Sequence, residues 1–152
     1  MQMSTAGLDL LRRSEGFRGR TYLDAAGLPT IGYGHQLVHS ECFPNGIAEA
    51  QAAQMLTVDL HAAETAVTRM VNVALKQRQF DALVDFCFNV GAGKLATPTF
   101  FKDFNAGEYG AAAEEMLRWD HVLGKEMAGL KARRESEFAL WNRKGASEMV
   151  AV

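Results

Sequence analysis

The stretch 47–71 contains neither glycine nor proline and is rich in Ala, Gln, Glu, Met and Leu. Residues of this kind lose little rotamer freedom in a helix, so the composition predicts one long helix over about 47–71. A helix of that length constrains a chain of 152 residues severely. It either joins two lobes or lies along a surface, and periodicity alone does not separate the two.

The residues before that helix differ in texture from those after it. Leu8, Leu10 and Leu11 predict a short helix starting at Ser4 or Thr5 as cap and ending at Gly16. From Phe17 to Val38 the texture changes to strand formers, Thr21, Tyr22, Ile31 and Tyr33, punctuated by the turn residues Asp24 to Gly27 and Leu28-Pro29. This is the one convincing β region. Downstream, Phe80, Leu83, Val84, Cys87 and Val90 fall at helical spacing. Thr97-Pro98 reads as a helix start and Gly107 as a stop, and further helices run from about Gly110 to Trp119 and Leu130 to Arg143. The fold class is therefore α+β, mainly α. It has a small N-terminal β-hairpin lobe at about 16–46, a connector helix at 47–71, and a larger helical lobe at about 72–144 that includes the N-terminal helix. A single domain of this size buries roughly 70 % of its unfolded surface without metal or disulfides.

Charge and cysteine usage exclude several classes. A net charge of −2 argues against a nucleic-acid module, which normally carries a basic stripe. Cys42 and Cys87 lie in no CxxC or His-rich context, so no metal site or redox motif is expected and no cofactor is implied. The first residues, Met-Gln-Met-Ser-Thr-Ala-Gly, have no basic region followed by an apolar core, and no window reaches the ~18 apolar residues of a membrane span. The expectation is synthesis in the cytoplasm, with no membrane insertion.

Three residues between Ser14 and His35 carry chemistry. Glu15 ends the first helix immediately before Gly16-Phe17, where the negative helix end and an apolar wall would both favour a protonated carboxyl, a potential general acid. Asp24 opens an Asp-Ala-Ala-Gly turn rich in backbone donors and is expected to stay ionised. An acid and a base separated by environment are the usual pair for proton-coupled chemistry. Thr30 follows in a strand whose Gly32 and Gly34 permit close backbone approach, and its hydroxyl can orient a water. Each also has a plainer reading: a solvated helix-end Glu, a turn Asp, a β-forming Thr.

The order of these residues bears a resemblance. Ser14-Glu15-Gly16-Phe17, then Tyr22-Leu23-Asp24, then Pro29-Thr30-Ile31-Gly32-Tyr33-Gly34-His35 closely resembles the signature of phage-type lysozymes. Phe88-Asn89-Val90-Gly91, Leu117-Arg118-Trp119, and Gly129-Leu130 with Arg133-Arg134-Glu135 resemble three further motifs of that family, so the likeness spans Leu8 to Trp141. It departs at Pro98-Thr99-Phe100-Phe101, where the family commonly has Ser-Thr-Leu-Leu, and at Glu126.

The resemblance implies a β lobe and a helical lobe flanking a groove. It also implies hydrolysis of the β-1,4 bond between N-acetylmuramic acid and N-acetylglucosamine in peptidoglycan, by an endolysin that lyses the host cell. Glu15 is then the general acid, and Asp24 with Thr30 activates water for an inverting displacement. His35, Phe88, Asn89 and Thr99 are candidate sugar-binding residues, with His35 more readily read as a hydrogen-bonded support than as a catalyst. Arg133 or Arg134 would pair with Glu15 or Asp9, or lie on a surface helix face. The partners implied are peptidoglycan and a holin that opens the membrane to a monomeric enzyme. The alternatives are a lytic transglycosylase and a non-catalytic wall-binding module.

Overall fold

The computed structural model describes residues 1–24, 26–91, 100–122, 124–143 and 149–150. They form two compact units, one of residues 11–61 and one of residues 1–10 with 62–152.

In the unit of residues 11–61, helix α1 (Thr5–Glu15) contributes its last turn. Gly16 stops it with φ +70° and donates its N–H to Arg12 O at 3.0 Å, a left-handed helix end that glycine adopts without strain. Three antiparallel strands follow, β1 (Arg18–Leu23), β2 (Pro29–Gly32) and β3 (His35–Gln36), in that spatial order. Thr30 on the central strand faces Tyr22 on one side and Gln36 on the other. The β1–β2 register shifts between Arg18 and Tyr22. At that point the Gly19 carbonyl accepts from Ile47 N at 2.8 Å, so the chain entering the next helix takes over part of this strand's bonding. Gly46 makes the approach possible: a Cβ there would sit 2.4 Å from Gly19 O. Ile31 and Tyr33 are buried on this sheet.

Helix α2 (Glu49–Met70) has close to the expected span. Residues 49–61 belong to this unit and 62–70 to the other. Among the described residues no helix is long and apolar enough to cross a membrane.

The second unit is helical. The start of α1 is tied to α3 (Gln77–Val90) through buried Asp81, whose carboxylate accepts from Ser4 N at 2.9 Å, from the Ser4 hydroxyl, and from Gln77 Nε2 at 2.8 Å. Ser4 in turn caps α1, as expected, its carbonyl accepting from Leu8 N. Gly7 is required here, because a Cβ would lie 2.8 Å from Asp81. Helix α4 (Phe100–Asn105) packs on α5 (Tyr109–Leu117), α5 on α6 (Ala128–Asn142) and α6 on α3, burying Phe80, Phe86, Phe104, Met116 and Trp141. Gly107, φ +80°, follows α4 as the expected stop. The Thr97-Pro98 start lies outside the described residues.

Two departures from the sequence reading stand out. Strands β4 (Leu75–Lys76) and β7 (Met149–Val150) pair, as do β5 (His121–Val122) and β6 (Lys125–Glu126), so residues 17–38 are not the only β structure. Strands of two residues show no alternation, which is the signal a strand is read from. Secondly, Arg133 and Arg134 are buried, which overturns the surface-face reading. Arg133 Nε lies 3.0 Å from Asp85 Oδ2, and Arg134 Nη2 lies 2.9 Å from Glu137 Oε1 while its guanidinium stacks on Phe86 at 4.6 Å. Burial pushes the Glu137 carboxyl well up, and neighbouring Asp85 adds to this against the pull of both arginines. Cys87, also on α3, is a buried thiol pushed up to about 11 by desolvation, while Cys42 is exposed and free.

Candidate active site

The residues singled out for chemistry, Glu15, Asp24 and Thr30, all fall in the unit of residues 11–61. Asp24 follows β1 and is held by a turn built from its own neighbours. Its backbone N–H donates to Leu28 O at 2.9 Å, and its carbonyl accepts from Gly27 N at 2.9 Å. Its Oδ1 accepts from Ala26 N at 2.8 Å and Leu28 N at 2.9 Å, and its Oδ2 from Gln36 Nε2 at 3.0 Å. The Leu28 amide is the largest influence on this carboxyl; desolvation opposes it, and Gln36, Ala26 and Gly27 add to it, so the net direction is below the usual carboxylate range. An oriented, ionised carboxylate results.

Thr30 is 2 % exposed, and its hydroxyl donates to Leu28 O at 2.9 Å. Leu28 thus offers its N–H to Asp24 and its carbonyl to Thr30. With its proton committed, the Thr30 oxygen retains only acceptor capacity. A water donating one hydrogen to Thr30 and the other to Asp24 would have its lone pair aimed away from both.

Glu15, at the end of α1, is half-buried. The turn between β2 and β3 comes close to it: a Cβ at Gly34, whose φ is +84°, would stand 3.2 Å from Glu15 Oε2. Glycine meets both demands of this position, the left-handed backbone and the narrow clearance. The aromatic floor of the unit is Tyr33, 5 % exposed, with Phe17 5.7 Å away and its hydroxyl donating to Glu49 Oε1 at 2.6 Å. That bond to Glu49 raises the phenol above its ordinary range.

His35 is a strut. Its Nδ1 lies 2.9 Å from Asp59 Oδ2 on α2, and its Nε2 2.9 Å from Glu41 Oε2. Burial alone would lower the imidazole, but the bonds to Glu41 and Asp59 outweigh it and the net direction is up. Glu41 is lowered, first by His35 and then by the Val38 amide. With both ring nitrogens committed to carboxylates, His35 has no donor left for a sugar; of its two readings, support is the one this geometry favours.

The other residues with assigned roles lie in the helical unit. Phe88 and Asn89 occupy the last turn of α3, half-buried, with Asn89 Oδ1 accepting from Arg134 Nη2 at 2.8 Å. Thr99 lies outside the described residues. Gln36 was not singled out from sequence. The signal available was its register opposite Thr30, which requires knowing how β2 and β3 pair. Among the described residues no group of His, Cys, Asp or Glu could hold a metal ion.

Comparison with known proteins finds clear relatives of this chain. Residues 12–137 match the family model described as phage lysozyme. The endolysin of Salmonella phage P22 is 38 % identical over 144 residues, covering 93 % of this chain and 98 % of that protein. The endolysin of Bacillus phage B103 is also 38 % identical over 144 residues and 93 % of this chain, but the chain spans only 54 % of that relative's length. The muramidase domain of SpmX from Asticaccaulis excentricus superposes with a TM-score of 0.85 at 33 % identity, covering 94 % of this chain and 99 % of that one. Glu15, Asp24 and Thr30 all lie inside the matched region, and the chain belongs to the phage lysozyme family.

Proposed function

We propose that this protein is an endolysin that hydrolyses the β-1,4 bond between N-acetylmuramic acid and N-acetylglucosamine in bacterial peptidoglycan and so lyses the host cell. The observation that carries the reading is the shared support at Leu28, whose N–H orients the Asp24 carboxylate and whose carbonyl accepts the Thr30 hydroxyl's hydrogen bond. Glycoside hydrolysis needs a proton on the leaving oxygen and a nucleophile at the anomeric carbon. Glu15 delivers the proton. A water held by Asp24 and Thr30 attacks the opposite face, giving up its proton to Asp24, and the configuration inverts. Phe88, Asn89 and Thr99 remain candidate sugar contacts in this reading. The enzyme acts as a monomer on the wall, reaching it from the host cytoplasm after a holin has permeabilised the membrane.

Product analysis on purified peptidoglycan tests the proposal. Reducing muramic acid ends, formed initially as the inverted anomer by NMR, are expected. Anhydro ends would replace hydrolysis by the transglycosylase reaction, and binding without cleavage would leave only a wall-binding module. Glu15→Gln is expected to lose about a hundredfold or more in turnover, the scale of a missing general acid.

A further inference from the structure

Gln36 has no role in the hydrolysis as proposed, yet its side chain reaches the reacting groups. It lies on β3 directly opposite Thr30, and its Nε2 donates to Asp24 Oδ2 at 3.0 Å. Since β2 is the central strand, this bond links edge strand β3 to the turn that follows the other edge strand, β1. A carboxylate only accepts, so the amide presents its NH2 group to Asp24 and turns its carbonyl away. The other carboxylate oxygen is already fixed by two backbone amides, those of Ala26 and Leu28. Those amides alone would leave the carboxylate free to swing about Oδ1.

We propose that Gln36 is a positioning residue for the glycosidase reaction, fixing the outer oxygen of Asp24 so that the carboxylate faces the attacking water. The inference rests on Asp24 acting as the base. Its consequences come from the type of contact. Gln36 acts through Asp24, and Asp24 acts in the transition state, so losing the contact lowers kcat and leaves KM unchanged. The bond also favours the ionised carboxylate, so its loss moves the Asp24 titration to higher pH. An acidic residue in place of Gln36 would move it further in the same direction.

The experiment compares wild type, Gln36→Leu and Gln36→Glu in full-length protein. It reads kcat and KM from pH 3 to pH 8 on purified peptidoglycan fragments and, independently, the titration of the Asp24 carboxyl carbon by NMR. Gln36 is exposed, so both variants should keep the wild-type melting temperature. The expected result at neutral pH is a roughly two- to tenfold fall in kcat for Gln36→Leu, the scale of one hydrogen bond, with KM unchanged. The acid limb of the rate profile and the Asp24 titration should rise together, in the order wild type, Gln36→Leu, Gln36→Glu. An Asp24 titration unmoved in both variants overturns the positioning role while leaving Asp24 as base. A titration that moves while the acid limb stays put overturns Asp24 as the base, and the inference with it.

Discussion

Replacing Thr30 by valine removes one oxygen from a buried site and keeps its shape, and the structure separates what this does to stability from what it does to catalysis. The lost bond is the one from Thr30 Oγ1 to Leu28 O at 2.9 Å. Such a bond contributes about 0.5–1.5 kcal/mol net, and the low end applies because the Leu28 carbonyl keeps a second donor, the Asp24 N–H at 2.9 Å. In exchange a buried methyl replaces a buried hydroxyl at a position 2 % exposed, a gain of up to about 0.8 kcal/mol. The two nearly cancel. Thr30→Val should therefore melt within about 2–4 °C of wild type, the shift that 1 kcal/mol produces in a chain of this size. Turnover should fall about a hundredfold, as for a reacting group displaced by an ångström.

Thr30→Ser inverts the pattern. It keeps the hydroxyl and deletes the buried methyl, so it should be less stable by about 1 kcal/mol and retain turnover to within a few-fold. Calorimetry and turnover on peptidoglycan fragments read the two effects separately. An NMR titration of Asp24 in Thr30→Val checks that the Leu28 amide still holds the carboxylate. A valine variant with more than a third of wild-type turnover would refute water placement by the hydroxyl. So would a serine variant as inactive as the valine one, because the size of the side chain would then be what matters.

The clamp on His35 makes stability pH-dependent with a definite sign. Because the folded imidazole titrates above its ordinary 6.5, its contribution is complete below that pH and is lost as pH rises through the folded value. Glu41, lowered from 4.5, contributes above that value and loses its contribution as pH falls through its own. The melting-temperature gap between wild type and His35→Asn should thus be widest between roughly pH 5 and 6.5 and shrink towards pH 9; a gap that grows with pH would contradict the clamp. In the helical unit, Arg134→Met leaves the buried Glu137 carboxyl and the Asn89 amide without their shared guanidinium donor and should cost about 3 kcal/mol in urea unfolding. Adding Glu137→Leu removes the carboxyl left unpartnered beside Asp85 and should recover much of that loss, whereas additive losses would mean the two residues are not coupled.

How much of this was legible in the sequence depends on what kind of atom does the holding. The long α2, the α1 stop at Gly16 and the hairpin frame could be read because helix composition, glycine and proline act locally on the backbone. Asp24 and Thr30 are set by the same local chemistry. Their common support is the Leu28 backbone, two to four residues away, and the turn that presents it is written in Asp24, Gly27 and Pro29. The side-chain supports obey no such rule. Asp59 lies 24 residues from His35, and Asp85 lies 48 from Arg133. An arginine pair in the middle of a charged helix looks like a solvated face until Asp85 and Asn89 of another helix pair with it. Gln36 falls between the cases: it is only 12 residues from Asp24, but its relevance appears once the strand register is known. The turn that holds Asp24 and Thr30 is legible from nearby residues, whereas the roles proposed for them are implied by the resemblance. The side chains that set the site's electrostatics through distant contacts are not legible in that way, and for that reason Gln36 and the His35 clamp emerge only from the fold.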